Sequence, residues 1–189
     1  MIKELILRNR SYRRFQQDVS IDADTLKELV DLARCSASGA NRQPLKYILS
    51  CNSEKNEKIF PNLFWAAALK DWPGPGEGER PSAYIIIVLD KEISQSPGVD
   101  HGIAAQSILL GAVDKGFGGC MMGAINRDGL REALQIPERY EILLTIALGK
   151  PNEKVVLETV GDDGNTDYWR DNESMHHVPK RSLDELIII

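Results

Sequence analysis

The sequence predicts one domain in which helices and strands mix without a regular βαβ alternation. Three observations carry this. Residues 24–33 place Leu26, Leu29, Val30 and Ala33 on a single helical face. Two apolar runs, 84–89 and 141–149, read as strands, and between them residues 100–115 return to helical spacing. A chain of 189 residues suits one domain, or one domain with an extension, and can bury a substantial core. No internal repeat is present.

Taken in order, Ile2, Leu5 and Ile6 form a short apolar segment before the basic stretch Arg10-Ser11-Tyr12-Arg13-Arg14-Phe15. Thr25 followed by Glu28 predicts a capping box at the start of the first core helix. Residues 36–44 are small and amide-rich; Gly39 permits a tight turn, and Pro44 predicts an extended backbone at Gln43. A strand over 45–51 follows, then a helix over 53–70, broken or restarted at Pro61. Residues 71–82 hold three prolines and three glycines, so they predict a long irregular loop, either a cover over a site or a plain connector. Isoleucine-rich 84–89 predicts a strand buried on both faces. The helix over 100–115 has small residues beside its apolar ones, which predicts packing on both sides, with Gly116 as its C-cap.

The glycines of 116–123 predict close approach of a ligand or of another backbone. Met121 and Met122 suit either the wall of a planar cofactor or simple core filling. A short helix over 127–135 is stopped by Pro137, and the strand over 141–149 follows. The remaining residues, 150–189, carry too few apolar side chains before Leu183 to build a core, and predict a segment that wraps around something else.

Composition narrows the chemistry. A net charge of −5 and a pI near 5.3 argue against non-specific nucleic-acid binding, so any anion site is local. Three widely spaced cysteines offer neither a disulfide framework nor a CxxC motif, which suits a reducing cytoplasm. No signal pattern or membrane-length apolar run is visible. The arginines of 10–14 form a candidate phosphate grip, because a planar guanidinium meets two oxygens at once, and Lys180-Arg181 supplies a second basic pair. A solvated basic face or a nucleic-acid patch is the competing reading. Phosphate-loop, dinucleotide-fingerprint and nucleophile-elbow motifs are missing from the sequence. His176 and His177 are adjacent and point apart, so no metal site is expected, and His101 is a lone helical histidine. With no acid, base or nucleophile prominent, a bound phosphorylated cofactor is the reading that fits.

At this point the sequence resembles the nitroreductase family. Arg10 to Phe15 is similar to its R-S-x-R-x-[FY] opening, Ser38 to Pro44 to its S-x-x-N-x-Q-P loop, Gly116 to Gly123 to its glycine-rich strand, and 179–183 to its C-terminal basic motif. The resemblance implies an α+β fold with a central, mostly antiparallel sheet flanked by helices, in an intertwined homodimer with FMN at each subunit interface. Residues 1–150 would form the core, and 151–189 an extension embracing the partner. It implies FMN contacts from Arg10 on the phosphate, Ser11, and Arg13 nearer the pyrimidine edge, where it would stabilise reduced flavin. Ser38, Asn41 and Gln43 would reach the partner's flavin. Met121, Met122 and Gly123 would lie against the ring, and Lys180 and Arg181 would close on the phosphate. Phe64, Trp65 and Trp72 are candidate pocket walls. The implied activity passes hydride from NADH or NADPH through flavin N5 to a small nitro, quinone or other aromatic acceptor by ping-pong kinetics. Dehalogenation, enone reduction, flavin destruction and non-catalytic FMN storage are the alternatives on the same scaffold. Asn9, Ala37 and Met121 depart from the family pattern, where arginine, proline and tryptophan are common.

Overall fold

The computed structural model describes residues 2–188. Its centre is a five-stranded sheet of β1 (Phe15–Gln16), β2 (Leu45–Ser50), β3 (Ala83–Asp90), β4 (Gly118–Met122) and β5 (Tyr140–Pro151). Every pairing between these strands is antiparallel. The long β5 is the spine: β3 pairs along one edge and β4 along the other, with Met122 opposite Thr145 and Gly118 opposite Gly149, while β1 pairs the end of the strand, with Phe15 opposite Pro151. Every residue of β3 is buried, as its unbroken apolar run predicts.

Alternation along β3 divides the core in two. Ile85 and Ile87 pack with Ile146, Leu148 and the apolar faces of α2 (Ala23–Arg34) and α4 (Asp100–Asp114). Tyr84, Ile86 and Val88 face the opposite layer with Ile59, Trp65, Met122 and Leu130. That second layer includes α3 (Ser53–Ile59) and α5 (Arg127–Leu134). Glycine at 111 lets Leu29 and Leu32 of α2 press against α4, so these helices pack closely. Gly116, at φ 79, turns the chain out of α4.

Three local expectations are corrected. The first core helix is capped by Asp22, whose carboxylate accepts the Thr25 N–H at 2.7 Å; Thr25 is already inside the helix. The helix expected over 53–70 ends at Ile59, followed by a single 3-10 turn, Phe60–Asn62. Pro61 has no N–H to extend the ladder, and Leu63 instead bridges Ile125 in extended form. Gln43 takes φ 52, because its N–H turns in to the Ser38 hydroxyl at 3.0 Å.

Beyond Pro151 the chain forms a separate three-stranded sheet: β6 (Val155–Thr159), β7 (Trp169–Arg170) and β8 (His176–Lys180), with β8 central. Its one buried strand residue is His176, so it has no apolar core of its own. The short α6 (Leu183–Leu186) follows behind a Ser182–Glu185 capping box and leaves Leu183, Leu186 and Ile187 exposed. At the other end α1 (Ile2–Arg8) buries no residue and exposes Ile2, Ile6 and Leu7. Among the described residues no helix is long and apolar enough to cross a membrane.

Candidate functional site

The basic motif lies beside β4. After α1 the chain straightens, Ser11 forms a parallel bridge with Gly119, and the Tyr12 N–H donates to the Gly119 carbonyl at 3.0 Å. A Cβ at Gly118 would strike the Tyr12 ring, so one close approach expected of this glycine strand is made by the protein itself. Arg10 donates one Nη to the Ile6 carbonyl at 2.7 Å, while its Nε is buried without a partner. Arg13 is turned inward: its guanidinium lies 4.5 Å from the Tyr168 ring centroid, with Nη1 3.2 Å from His176 Nε2. Burial, then the charges of Arg13 and Arg170, push the His176 imidazole down to about 4, so it is neutral beside these arginines.

Met121 is 37 % exposed and Met122 only 5 %. The strand pleat therefore separates the pair: Met121 stays on the accessible face, whereas the Met122 side chain fills the second core layer and is corrected from site wall to packing residue. Gly123 is exposed at the strand end. Of the proposed aromatic walls, Phe64 is 61 % exposed and hydrogen-bonds through its N–H to Ala124, next to Gly123. Trp65 is buried in the core. Trp72 is half-buried and packs edge-on to Trp65 at 6.5 Å, with the Arg170 guanidinium 4.2 Å from its ring centroid.

The amide loop is built on a residue that sequence reading did not single out for the site. Asp100, the buried first residue of α4, accepts the Ser38 hydroxyl at 2.6 Å and the Gly39 N–H at 2.9 Å. Ser38 is thereby committed to holding the loop. The turn it holds carries left-handed backbone at Ala40, Asn41 and Gln43, which strains non-glycine residues. Asn41 and Gln43 stay exposed and touch through their side-chain amides at 3.1 Å. A cavity of about 220 Å³ opens beside them, lined by Ser38, Gln43, Tyr47 and Asp100. A larger hollow, near 320 Å³ and lined by Gln17, Cys51 and Arg80, contains none of the motif residues.

The motifs do not meet within one chain. Arg8, at the edge of the basic motif, reaches the Val113 carbonyl near the end of α4, while the amide loop sits on Asp100 at its start. The rise along α4 separates these points by about 20 Å. Lys180 and Arg181 are also apart. From His176, beside Arg13, β8 carries Lys180 about 13 Å onward at the usual rise per strand residue. Arg181 faces Glu185 at 3.7 Å. Among the described residues no hydrogen bond or ion pair joins either basic residue to the side chains of 10–14.

The Nitroreductase family model matches residues 6–150, well over half of the chain. The chain belongs to the nitroreductase family. A Bacillus subtilis (strain 168) protein named for an NAD(P)H nitroreductase is 22 % identical to it over 170 residues, covering 74 % of this chain and 84 % of that protein. The crystal structure of a nitroreductase family protein from Clostridium novyi NT superimposes with a TM-score of 0.66 at 24 % identity, covering 98 % of each chain. The NADPH:FMN oxidoreductase of Vibrio harveyi, complexed with NAD+, gives a TM-score of 0.65 at 22 % identity over 90 % of this chain and 79 % of its own. In this family member the sequence motifs were legible, but Asp100, the residue that holds the amide loop, was not. The one available signal was an acidic residue opening α4.

Proposed function

We propose that this nitroreductase-family chain is an FMN-dependent NAD(P)H oxidoreductase acting as a homodimer. One observation carries the reading: the basic motif and the amide loop lie at opposite ends of α4, so a second chain in reversed orientation is what brings both onto one ligand. The exposed apolar faces of α1 and α6, and an arm with no core of its own, support that second chain. Residues 151–189 serve as the extension that embraces it.

The residues present suit a flavin monophosphate. Arg10 offers a buried, unpartnered Nε, an unmet donor of the type that a phosphate satisfies, and Ser11 is exposed beside it. Arg10 and Ser11 hold the phosphate end, and Lys180 and Arg181 close on it from the extension. Arg13 serves the pyrimidine edge, where its charge stabilises the reduced ring. Met121 and Gly123 border the ring, and Asn41 and Gln43 reach it from the partner chain, with Ser38 fixing their loop. When bound, FMN supplies the transfer of reducing equivalents from NAD(P)H to a small nitro, quinone or other aromatic acceptor.

The test is an absorbance spectrum of the purified protein followed by anaerobic titration with NADH and NADPH. A yellow chromophore bleached by at least one donor is expected. A flavin-loaded protein that neither donor bleaches would refute the oxidoreductase reading, and a chain that takes up no FMN would refute the cofactor.

A further inference from the structure

Glu153 stands in the turn from β5 to β6, and its side chain is 1 % exposed. Three donors converge on it. The backbone N–H groups of Arg13 and Arg14 both donate to Oε1, the latter at 3.2 Å, and Arg170 Nη2 donates to Oε2 at 3.0 Å. Among the described residues neither amide has a strand partner. Tyr12 is bonded to Gly119 and Phe15 to Glu79, so residues 13 and 14 span the gap between the β4 bridge and β1. Successive N–H groups aimed at one point form a concave anion site, and the protein fills this one with its own carboxylate.

A buried carboxylate is costly unless its partners are complete, so the arrangement is all or nothing. Arg170 belongs to β7 and also covers Trp72 of the 71–82 loop; Arg14 reaches Glu79 of the same loop at 3.4 Å. The basic motif and the arm therefore share one buried charge, and Arg14 and Arg170 carry the contact on to the Pro/Gly loop. Four residues before it, β5 closes against Gly118, and four residues before Arg14 stands Arg10 with its unpartnered Nε.

We propose that Glu153 is a positioning residue for the cofactor grip. It fixes the backbone at Arg13 and Arg14 so that Arg10, Ser11 and Arg13 are held in place before FMN arrives, and through Arg170 it makes that order depend on the arm. The inference rests on the FMN reading above and adds to it a residue that touches no cofactor.

The test uses the full chain with E153A, E153Q and R170Q, read by FMN titration and by amide exchange of the flavin-free protein. E153Q keeps the side chain's shape and an acceptor oxygen, which guards against a simple failure of E153A to fold. Loss of a hydrogen bond to a charged group predicts an FMN dissociation constant raised about tenfold or more in E153A. A smaller rise of about threefold is expected in E153Q and R170Q, where preorganisation is only weakened. Exchange at the Arg13 and Arg14 amides should quicken by at least about tenfold in E153A, because the acceptor they share is gone. A merely structural role would lower the melting temperature without raising the dissociation constant of the folded variants. If the wild-type chain binds FMN and all three variants bind it equally well, the Glu153 proposal is overturned and the cofactor reading stands. If the wild type binds no FMN, the cofactor reading falls. Unchanged exchange at both amides overturns the positioning role whatever the flavin result.

Discussion

Replacing Asp100 by alanine should loosen the loop that presents Asn41 and Gln43, and the structure sets the size of the effect. The carboxylate accepts two hydrogen bonds, from Ser38 Oγ at 2.6 Å and from the Gly39 N–H at 2.9 Å, in a residue 6 % exposed. A bond to a charged group contributes about 1.5–3 kcal/mol, but the loop side of this pair faces solvent and water would recover part of it. Placing the charge in the first turn of α4 adds about 0.3–1 kcal/mol through the helix dipole. The expected loss for Asp100→Ala is therefore about 2–4 kcal/mol, and for Ser38→Ala about 1.5–3 kcal/mol, since one of the carboxylate's two bonds goes together with the Gln43 N–H bond to the hydroxyl. Urea unfolding of both single variants and the double variant measures this, at unchanged m-value. The double-mutant cycle should return a coupling of about 1–2 kcal/mol. Additive single effects, or an Asp100→Ala loss below about 0.5 kcal/mol, typical of an ordinary surface change, would show that the carboxylate does not hold the loop.

Arg10→Ala should weaken FMN binding by about 1.5–3 kcal/mol, the scale of a charge-assisted bond, and an unchanged affinity in a fluorescence titration would remove Arg10 from the phosphate site. Deleting residues 155–189 should convert a dimer to a monomer or an insoluble chain, and a stable dimer in sedimentation velocity would exclude the embrace. His176 is held down to about 4, chiefly by burial and then by Arg13 and Arg170, against about 6.5 unfolded. Its contribution to stability is thus fully present above pH ~6.5 and is lost as the pH falls towards 4. His177 has the opposite sense: burial lowers it, but hydrogen bonds and charges from Asp171 and Glu158 outweigh this and leave it raised. Its contribution is present below pH ~6.5 and is lost as the pH rises through its folded value. Unfolding midpoints from pH 4.5 to 9 should therefore lose their acid slope in His176→Gln and their alkaline slope in His177→Gln; wild-type slopes in both variants would refute the assignment.

Much of the order of helices and strands between residues 23 and 149 was legible because it is written in near neighbours. Leu26, Leu29 and Ala33 recur at helical spacing and are buried, and the run from Tyr84 to Leu89 forms the doubly buried strand it predicts. The errors also have local causes. Pro61 ended a helix instead of interrupting it, and Asp22 outcompeted Thr25 as a cap. At the site, periodicity separated neither Met121 from Met122 nor Phe64 from Trp65, because exposure within each pair depends on which face of the sheet or turn meets the second core layer. Either member of such a pair has the composition of a pocket wall. Only burial tells them apart.

Sequence alone determined most elements of the core, the four motifs and thereby the family, since these rest on residue types within a few positions of one another; it did not show the three strands beyond Pro151. Tertiary structure decided what holds the motifs and whether they meet. Ser38 finds Asp100 across 62 residues and Arg13 finds Glu153 across 140, distances at which no propensity or spacing carries information. It also decided that α4 sets the basic motif and the amide loop at its two ends. The length of a rigid helix is a property of the folded chain, and it is this length that keeps the two motifs apart within one chain.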